Sequence, residues 1–259
     1  MIFEDLIHPI TDHVFQETIL GKKPIVIRAD AYKRYFFSNI CSWDDISKYV
    51  SNDRAVAGLQ MITPDGKKLC MEKGNLYRGQ KSSWSKKDYY EKEYVYDIWK
   101  KGGSMILTKA SMFSPNISAI GKALEDRYQN SSADAHFYCS PSENAVSFEC
   151  HADADDNYLV HAIGEVHWKV YNVFARSEVG EDGKKRFTSR MTMPPEQEAK
   201  YETIIDTVLT TGDLLYIPAG MFHKASPASA RVSISVPLAR SNKEIPIDRK
   251  YYDFQKNSS

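Results

Sequence analysis

HADADDNYLVHAIGEVHW, residues 151–168, is the segment around which the rest of this 259-residue chain can be read. It opens on a histidine and an aspartate two positions apart, His151 and Asp153. It then runs through Tyr158-Leu159-Val160 to Gly164, and on to Val166-His167-Trp168. Residues i and i+2 of a strand point to one face, so an imidazole and a carboxylate would project together. Further short runs of period two lie on either side, at 135–139, 145–150, 158–162, 166–174, 203–209, 213–217 and 231–238. Strand-length runs in this number mark a β-sandwich or barrel. The fold class is therefore mainly β with a helical flank, packed as a jelly roll.

A metal held by His151 and Asp153 needs a third ligand, and GDLLYIPAGMFH at 212–223 offers His223. A strand ends at Pro218, a turn passes through Gly220, and His223 opens the next strand. Two histidines and one carboxylate on one face of an octahedral ion leave three open positions, the facial triad of non-haem iron(II) oxygenases. The bland alternative makes both histidines satisfied core residues and Asp153 a turn residue. H-x-D alone is short enough to arise by chance. Its weight comes from combination with the Gly-Asp and Pro-x-Gly signals seventy residues on.

Composition narrows the class. Hydrophobic residues make up 42% and charged residues 26%, as in an ordinary globular chain. The 34 basic and 34 acidic residues balance, without the excess that nucleic-acid binding usually brings. Cys41, Cys70, Cys139 and Cys150 form no C-x-x-C pair, which argues against a zinc knuckle and for reduced thiols. The N-terminal MIFEDLIHPITDHVF is no signal peptide, and no long apolar run suggests a membrane span. The expected location is cytoplasmic.

The expected organisation is a single domain: a helical flank over 1–103, a jelly-roll core over 104–240 and a short tail over 241–259. In the flank, Asp12 is expected to cap a helix running through Phe15 and Ile19 to Gly21. Pro24-Ile25-Val26-Ile27 reads as a strand, and Ser42 with Asp45 as a capping box ahead of Ile46, Tyr49 and Val50. Residues 77–100 interleave Tyr77, Trp84, Tyr89, Tyr90, Tyr94, Tyr96 and Trp99 with charges; they are either a packed helical layer or a substrate-facing lid. Met105-Ile106-Leu107 reads as a strand. Ser114-Pro115 then starts a helix whose inner face is Ile117, Ile120, Leu124 and Tyr128. The long charged loop 177–200 is a functional candidate.

Residues 151–168 resemble the core motif of JmjC hydroxylases of the ribosomal-oxygenase (cupin-4) kind: H-x-D, an aromatic-Leu pair, then Gly and Trp at this same spacing. AHFYCSP at 135–141, GKKPIVI at 21–27 and SWDD at 42–45 extend the likeness over nearly the whole chain. The resemblance implies a double-stranded β-helix of cupin/JmjC type. It implies iron(II) on His151, Asp153 and His223, with 2-oxoglutarate and O₂ as co-substrates. The product would be a hydroxylated peptide, protein side chain or amino-acid-like small molecule; hydroxylation at an N-methyl group would be demethylation. A homodimer is left open.

The chain departs from the family pattern at Val166, where relatives carry the Lys or Arg that binds the distal carboxylate of 2-oxoglutarate. Lys169 falls on the opposite strand face. The candidate replacement is Arg231. Arg231, Ser233 and Ser235 alternate with Val232, Ile234 and Val236, and Arg-Val-Ser, eight residues after His223, resembles the R-x-S clamp of other 2-oxoglutarate oxygenases. A surface ion pair is the competing role for Arg231. Tyr138 stands either near the co-substrate or in the core, and Asn157 either near the co-substrate or in a surface turn. His161 and His167 are assigned structural roles. About twenty residues follow the last strand run, where ribosomal oxygenases carry further domains, so a ribosomal substrate is not carried over. Two other classes compete: a cupin metalloenzyme that does not use 2-oxoglutarate, and a non-catalytic cupin-fold binding protein.

Overall fold

Strands whose side chains alternate between two environments need packing for each face, and the computed structural model of this protein supplies both. It describes residues 1–51, 59–70, 92–112, 114–175, 178–179, 185–186, 191–240 and 250–252. In chain order the elements are α1 (Phe3–Ile7), α2 (Asp12–Thr18), β1 (Ile25–Ile27), α3 (Ala31–Ser38), α4 (Trp43–Val50), β2 (Leu59–Ile62), β3 (Lys68–Cys70), α5 (Lys92–Lys100), β4 (Ser104–Leu107), α6 (Pro115–Arg127), β5 (Ser131–Ala133) and β6 (His136–Ser140). Then follow β7 (His151–Ala152), β8 (Asp156–Ile163), β9 (Val166–Phe174), β10 (Glu178–Val179), β11 (Lys185–Arg186), β12 (Met191–Thr192), α7 (Pro195–Glu198), β13 (Thr203–Leu209), β14 (Leu214–Ile217), β15 (Met221–Pro227) and β16 (Arg231–Arg240).

Two antiparallel sheets make a double-stranded β-helix, or jelly roll. The larger has the order β1-β14-β8-β16-β6-β4-β2-β3, with β5 also on β16; the smaller runs β12-β7-β15-β9-β13. β16 shows how one strand serves two layers. Val232, Ile234, Val236 and Leu238 are fully buried in a core shared with Phe3, Leu6 and Phe15 of the N-terminal helices and Ile117, Ile120 and Leu124 of α6. Burying each such side chain contributes about 1.5–3 kcal/mol. The alternate residues Arg231, Ser233 and Ser235 face the smaller sheet. Between the sheets lies a second apolar cluster that includes Leu159, Val166, Trp168 and Leu215. Gly164 closes the turn between β8 and β9 at φ +73°, where a Cβ would collide with the Ala230 carbonyl; only glycine is unstrained there.

Several local expectations meet particular outcomes. Thr11, not Asp12, caps α2, with its Oγ1 accepting from the Val14 N–H at 3.3 Å. Asp12 is the first helical residue and is drawn off by the Arg127 guanidinium at 3.0 Å. Ser42 and Asp45 do form the capping box of α4, and Ser114 caps α6 with Pro115 in its first turn. Residues 145–150 are not a strand. They turn the corner from β6 in one sheet to β7 in the other, so the backbone bonds individually: Val146 N–H to the Gly102 carbonyl, and the Ser104 hydroxyl to the Val146 carbonyl. The loop expected over 177–200 contains the paired β10 and β11, then β12 and α7; its other residues up to 190 lie outside the described ones. Tyr77, Trp84, Tyr89 and Tyr90 also lie outside them, whereas Tyr94, Tyr96 and Trp99 of α5 pack against the main core. The thiols of Cys41, Cys139 and Cys150 are free and buried. No helix among the described residues is long and apolar enough to cross a membrane.

Candidate metal centre and anion site

The two histidines meet because β7 and β15 pair in a register that sets His223 opposite His151, with ring centroids 4.4 Å apart. Asp153 lies one residue past the end of β7. Its carboxylate Oδ2 is 3.7 Å from His151 Nε2 and 3.5 Å from His223 Nε2, and all three donors lie within 4.8 Å of one another. His151 Nδ1 is 2.7 Å from the Glu149 carbonyl, and His223 Nδ1 is 2.9 Å from the Met221 carbonyl. A carbonyl can only accept, so both rings carry a proton on Nδ1, which leaves Nε2, the nitrogen that faces Asp153, as the atom to ligate a metal. Two imidazoles and a carboxylate form the donor set that suits a non-haem ferrous ion.

The loops that carry these ligands are tied to each other. The Gly220 N–H donates to the Asp153 carbonyl at 2.8 Å, and the Ala219 N–H donates to Asp156 Oδ1 at 3.0 Å. Asp156 has no solvent exposure. It also accepts from the Tyr216 hydroxyl at 3.0 Å and from Arg240 Nε at 2.7 Å. A fully hydrogen-bonded, ion-paired carboxylate thus fixes the turn after Asp153 against the turn before His223.

His151, Asp153, His223, Tyr138, Asn157, Arg231 and Ser233 all line one cleft. Arg231 is not at the surface: it is 2% exposed. Its Nη1 donates to Ser233 Oγ at 2.8 Å and its Nη2 to Ser147 Oγ at 3.4 Å, while Nε has no partner. No carboxylate among the described residues forms an ion pair with it. Burial therefore pushes its pKa down to about 10, which still leaves it cationic at neutral pH. A buried cation without a counter-charge is costly, and a cleft that contains one is suited to an anion. Val166, by contrast, is fully buried in the apolar cluster between the sheets. Lys169 is on the other face of β9, 3.7 Å from Asp206.

Asn157 is not in a surface turn. It is buried on β8, and Ser235 Oγ donates to its Oδ1 at 2.8 Å, which leaves its amide nitrogen as the donor. Tyr138 lines the cleft and meets Phe148 edge-on at 6.0 Å. Three residues given no site role from the sequence, Phe148, Trp168 and His161, stand at or directly behind the cleft. Phe148 lies 5.7 Å from the His151 ring. Trp168 lies 5.8 Å from the His223 ring and has a buried, unpartnered Nε1. His161 is buried with Nδ1 3.0 Å from Ser233 Oγ. Strand alternation carried a signal for His161, since residues 157, 159 and 161 share a face. His167 pairs instead with Asp206 on the outward face of the smaller sheet.

Fold and site together define a cupin-type jelly roll with a facial donor triad. The family model for the JmjC domain matches residues 107–244, more than half of the chain, and the chain belongs to that family. Ribosomal oxygenase 1 of Danio rerio is 27% identical over 227 residues, covering 86% of this chain and 37% of that protein. The bifunctional lysine-specific demethylase and histidyl-hydroxylase NO66 of Branchiostoma floridae is 24% identical over 247 residues, covering 93% of this chain and 33% of that one. Among solved structures, the ribosomal oxygenase YcfD from Escherichia coli, in complex with cobalt and 2-oxoglutarate, superposes with a TM-score of 0.57 at 16% identity, over 90% of this chain and 53% of that chain. That likeness shows the fold. The chain thus spans about a third of the length of these curated relatives and about half that of the solved one.

Proposed function

We propose that this JmjC-domain chain is an iron(II)- and 2-oxoglutarate-dependent oxygenase that hydroxylates a peptide, a protein side chain or an amino-acid-like small molecule. One observation carries the reading: the three-donor set and a buried guanidinium with no ion pair among the described residues share a single cleft. The names of the relatives, two of them oxygenases and one a histidyl-hydroxylase and demethylase, support oxygen insertion into a macromolecular side chain.

His151, Asp153 and His223 would hold iron(II), which supplies O₂ activation coupled to oxidative decarboxylation of 2-oxoglutarate to succinate and CO₂. The remaining work falls to the chain itself. Arg231 offers its unpaired Nε to the distal carboxylate of the co-substrate, with the Ser233 hydroxyl and the Asn157 amide as further polar groups of the same cleft. This replaces, from β16, the cation that β9 lacks at Val166. Tyr138 and Phe148 wall the cleft beside His151, and Trp168 closes it beside His223, which limits water at the reacting centre. The anionic Asp153 fills the position that a halogenase would leave open for chloride. The free thiols of Cys41, Cys139 and Cys150 support a reducing, intracellular compartment.

The test is succinate formation from 2-oxoglutarate by the Fe(II)-loaded protein in air, with His151→Ala beside it. Slow uncoupled turnover is expected without the true substrate, and it should disappear in the variant. If the wild type neither forms succinate nor binds 2-oxoglutarate, the chain is a cupin of another metal chemistry or a binding protein. Formaldehyde release from an N-methylated peptide would assign demethylation.

A further inference from the structure

We propose that His161 is a positioning residue for the anion end of the cleft, acting through the Ser233 hydroxyl on the Arg231 guanidinium. The inference rests on reading that end as the subsite for the distal carboxylate of 2-oxoglutarate. His161 and Ser233 are directly opposed across β8 and β16. The imidazole is 1% exposed and does not border the cleft; Ser233 stands between. Ser233 Oγ lies 3.0 Å from His161 Nδ1 and accepts from Arg231 Nη1 at 2.8 Å, so the hydroxyl is held from both sides. Whichever of the pair donates, the ring fixes Ser233, and Ser233 fixes one edge of the guanidinium.

The backbone fixes the ring in turn. The His161 N–H donates to the Asp213 carbonyl at 3.0 Å, and the Gly212 N–H donates to the His161 carbonyl at 2.8 Å. An arginine side chain loses rotamer entropy when it is held in place, and ordering it before the ligand arrives removes that cost from binding. Core packing does not account for the imidazole. Its buried Nε2 makes no hydrogen bond of good geometry among the described residues, with the Ile163 and Gly164 backbone close to the ring, a cost that a leucine in the same space would not carry. Burial, reinforced by the neighbouring Arg231 charge, holds the ring neutral by lowering its pKa to about 4. The ring therefore adds no second cation that would reshape the anion site between pH 6 and 8.

The experiment compares wild type, His161→Leu, His161→Gln and His161→Ala, each loaded with redox-inert Zn(II). Calorimetry reads the Kd of 2-oxoglutarate and of pyruvate, which has the same metal-chelating end but no distal carboxylate. His161→Leu should weaken 2-oxoglutarate about tenfold, or about 1.4 kcal/mol, and leave pyruvate and Zn(II) affinity unchanged. His161→Gln, whose amide reaches the same hydroxyl, should recover most of that loss. A general structural role would weaken all ligands together, so the ratio of the two affinities is decisive. An unchanged ratio in His161→Leu, or no recovery in His161→Gln, overturns the proposal. Should His161→Leu fail to fold, His161→Ala carries the same measurement: a fall in the ratio supports the relay and an unchanged ratio overturns it. Wild type that binds 2-oxoglutarate no better than pyruvate removes the co-substrate reading itself and this inference with it, an outcome visible before any variant is made.

Discussion

Replacing Arg231 with methionine should make the ligand-free protein more stable and its co-substrate binding much weaker. The guanidinium is enclosed by the fold, and its pKa falls from 12.5 to about 10. At 1.36 kcal/mol per unit, holding it charged in the ligand-free state costs about 3 kcal/mol. Methionine fills most of the same volume without charge. The lost bonds to Ser233 and Ser147 offset part of the gain, leaving roughly 1 kcal/mol, or a melting temperature about 2–4 °C higher for a chain of this size. Binding should move the other way. Removing one partner of a buried, hydrogen-bonded charge pair costs about 2–5 kcal/mol, and 3 kcal/mol is a loss of about 150-fold in Kd. Thermal unfolding of Zn(II)-loaded protein with and without 2-oxoglutarate, followed by calorimetric titration, reads both quantities. A variant that melts lower than wild type yet binds 2-oxoglutarate equally well would refute the reasoning, because Arg231 would then be a structural residue with its charge satisfied.

Other consequences are equally concrete. Saturating divalent metal at about 100 times its Kd should stabilise wild type by about 2.7 kcal/mol; a chelator should reverse the gain, and Asp153→Ala should show none in a melting experiment. Asp156→Ala removes a fully buried carboxylate from its pair with the partly exposed Arg240 and frees the Ala219 N–H. Urea unfolding should register a loss of about 3–5 kcal/mol, and a loss under 1 kcal/mol would mean that the turns hold without it. His161 is neutral in the fold but protonates near its ordinary pKa of 6.5 when unfolded, so its contribution is complete above pH 6.5 and is lost as pH falls toward 4. The wild-type stability minus that of His161→Leu should fall by up to about 3 kcal/mol across that window; a flat difference would mean the imidazole, although flanked by Arg231 and Asp213, is solvated. Gly164→Ala should lower soluble yield or melting temperature markedly, because the Ala230 carbonyl occupies the space of a Cβ.

The legible part of this protein was the part encoded by local periodicity. Alternation along 158–162, 166–174 and 231–238 placed strands that the molecule has as β8, β9 and β16. The i, i+2 geometry of His151 and Asp153, with His223 after a Gly/Pro turn, singled out three donors that do converge. Alternation also separated Arg231 and Ser233 from their apolar neighbours. Residues 145–150 misled because β-branched and aromatic residues that turn a corner between two sheets look like those that run along one. Thr11 and Asp12 are both good caps by composition, and Arg127, more than a hundred residues away, decides between them.

What the sequence determined by itself, then, was which residues share a strand face and which chemistry they carry, because strand direction follows from bond geometry alone. What only the tertiary structure decided was who meets whom. No local pattern states that Arg231 has no ion pair among the described residues, that Asn157 is buried against Ser235, or that His161 reaches the cleft through Ser233. Each depends on the register of strands far apart in the chain and on low-dielectric surroundings that exist only once two sheets close. Burial turns an ordinary arginine into a candidate anion site, and burial is a property of the whole fold.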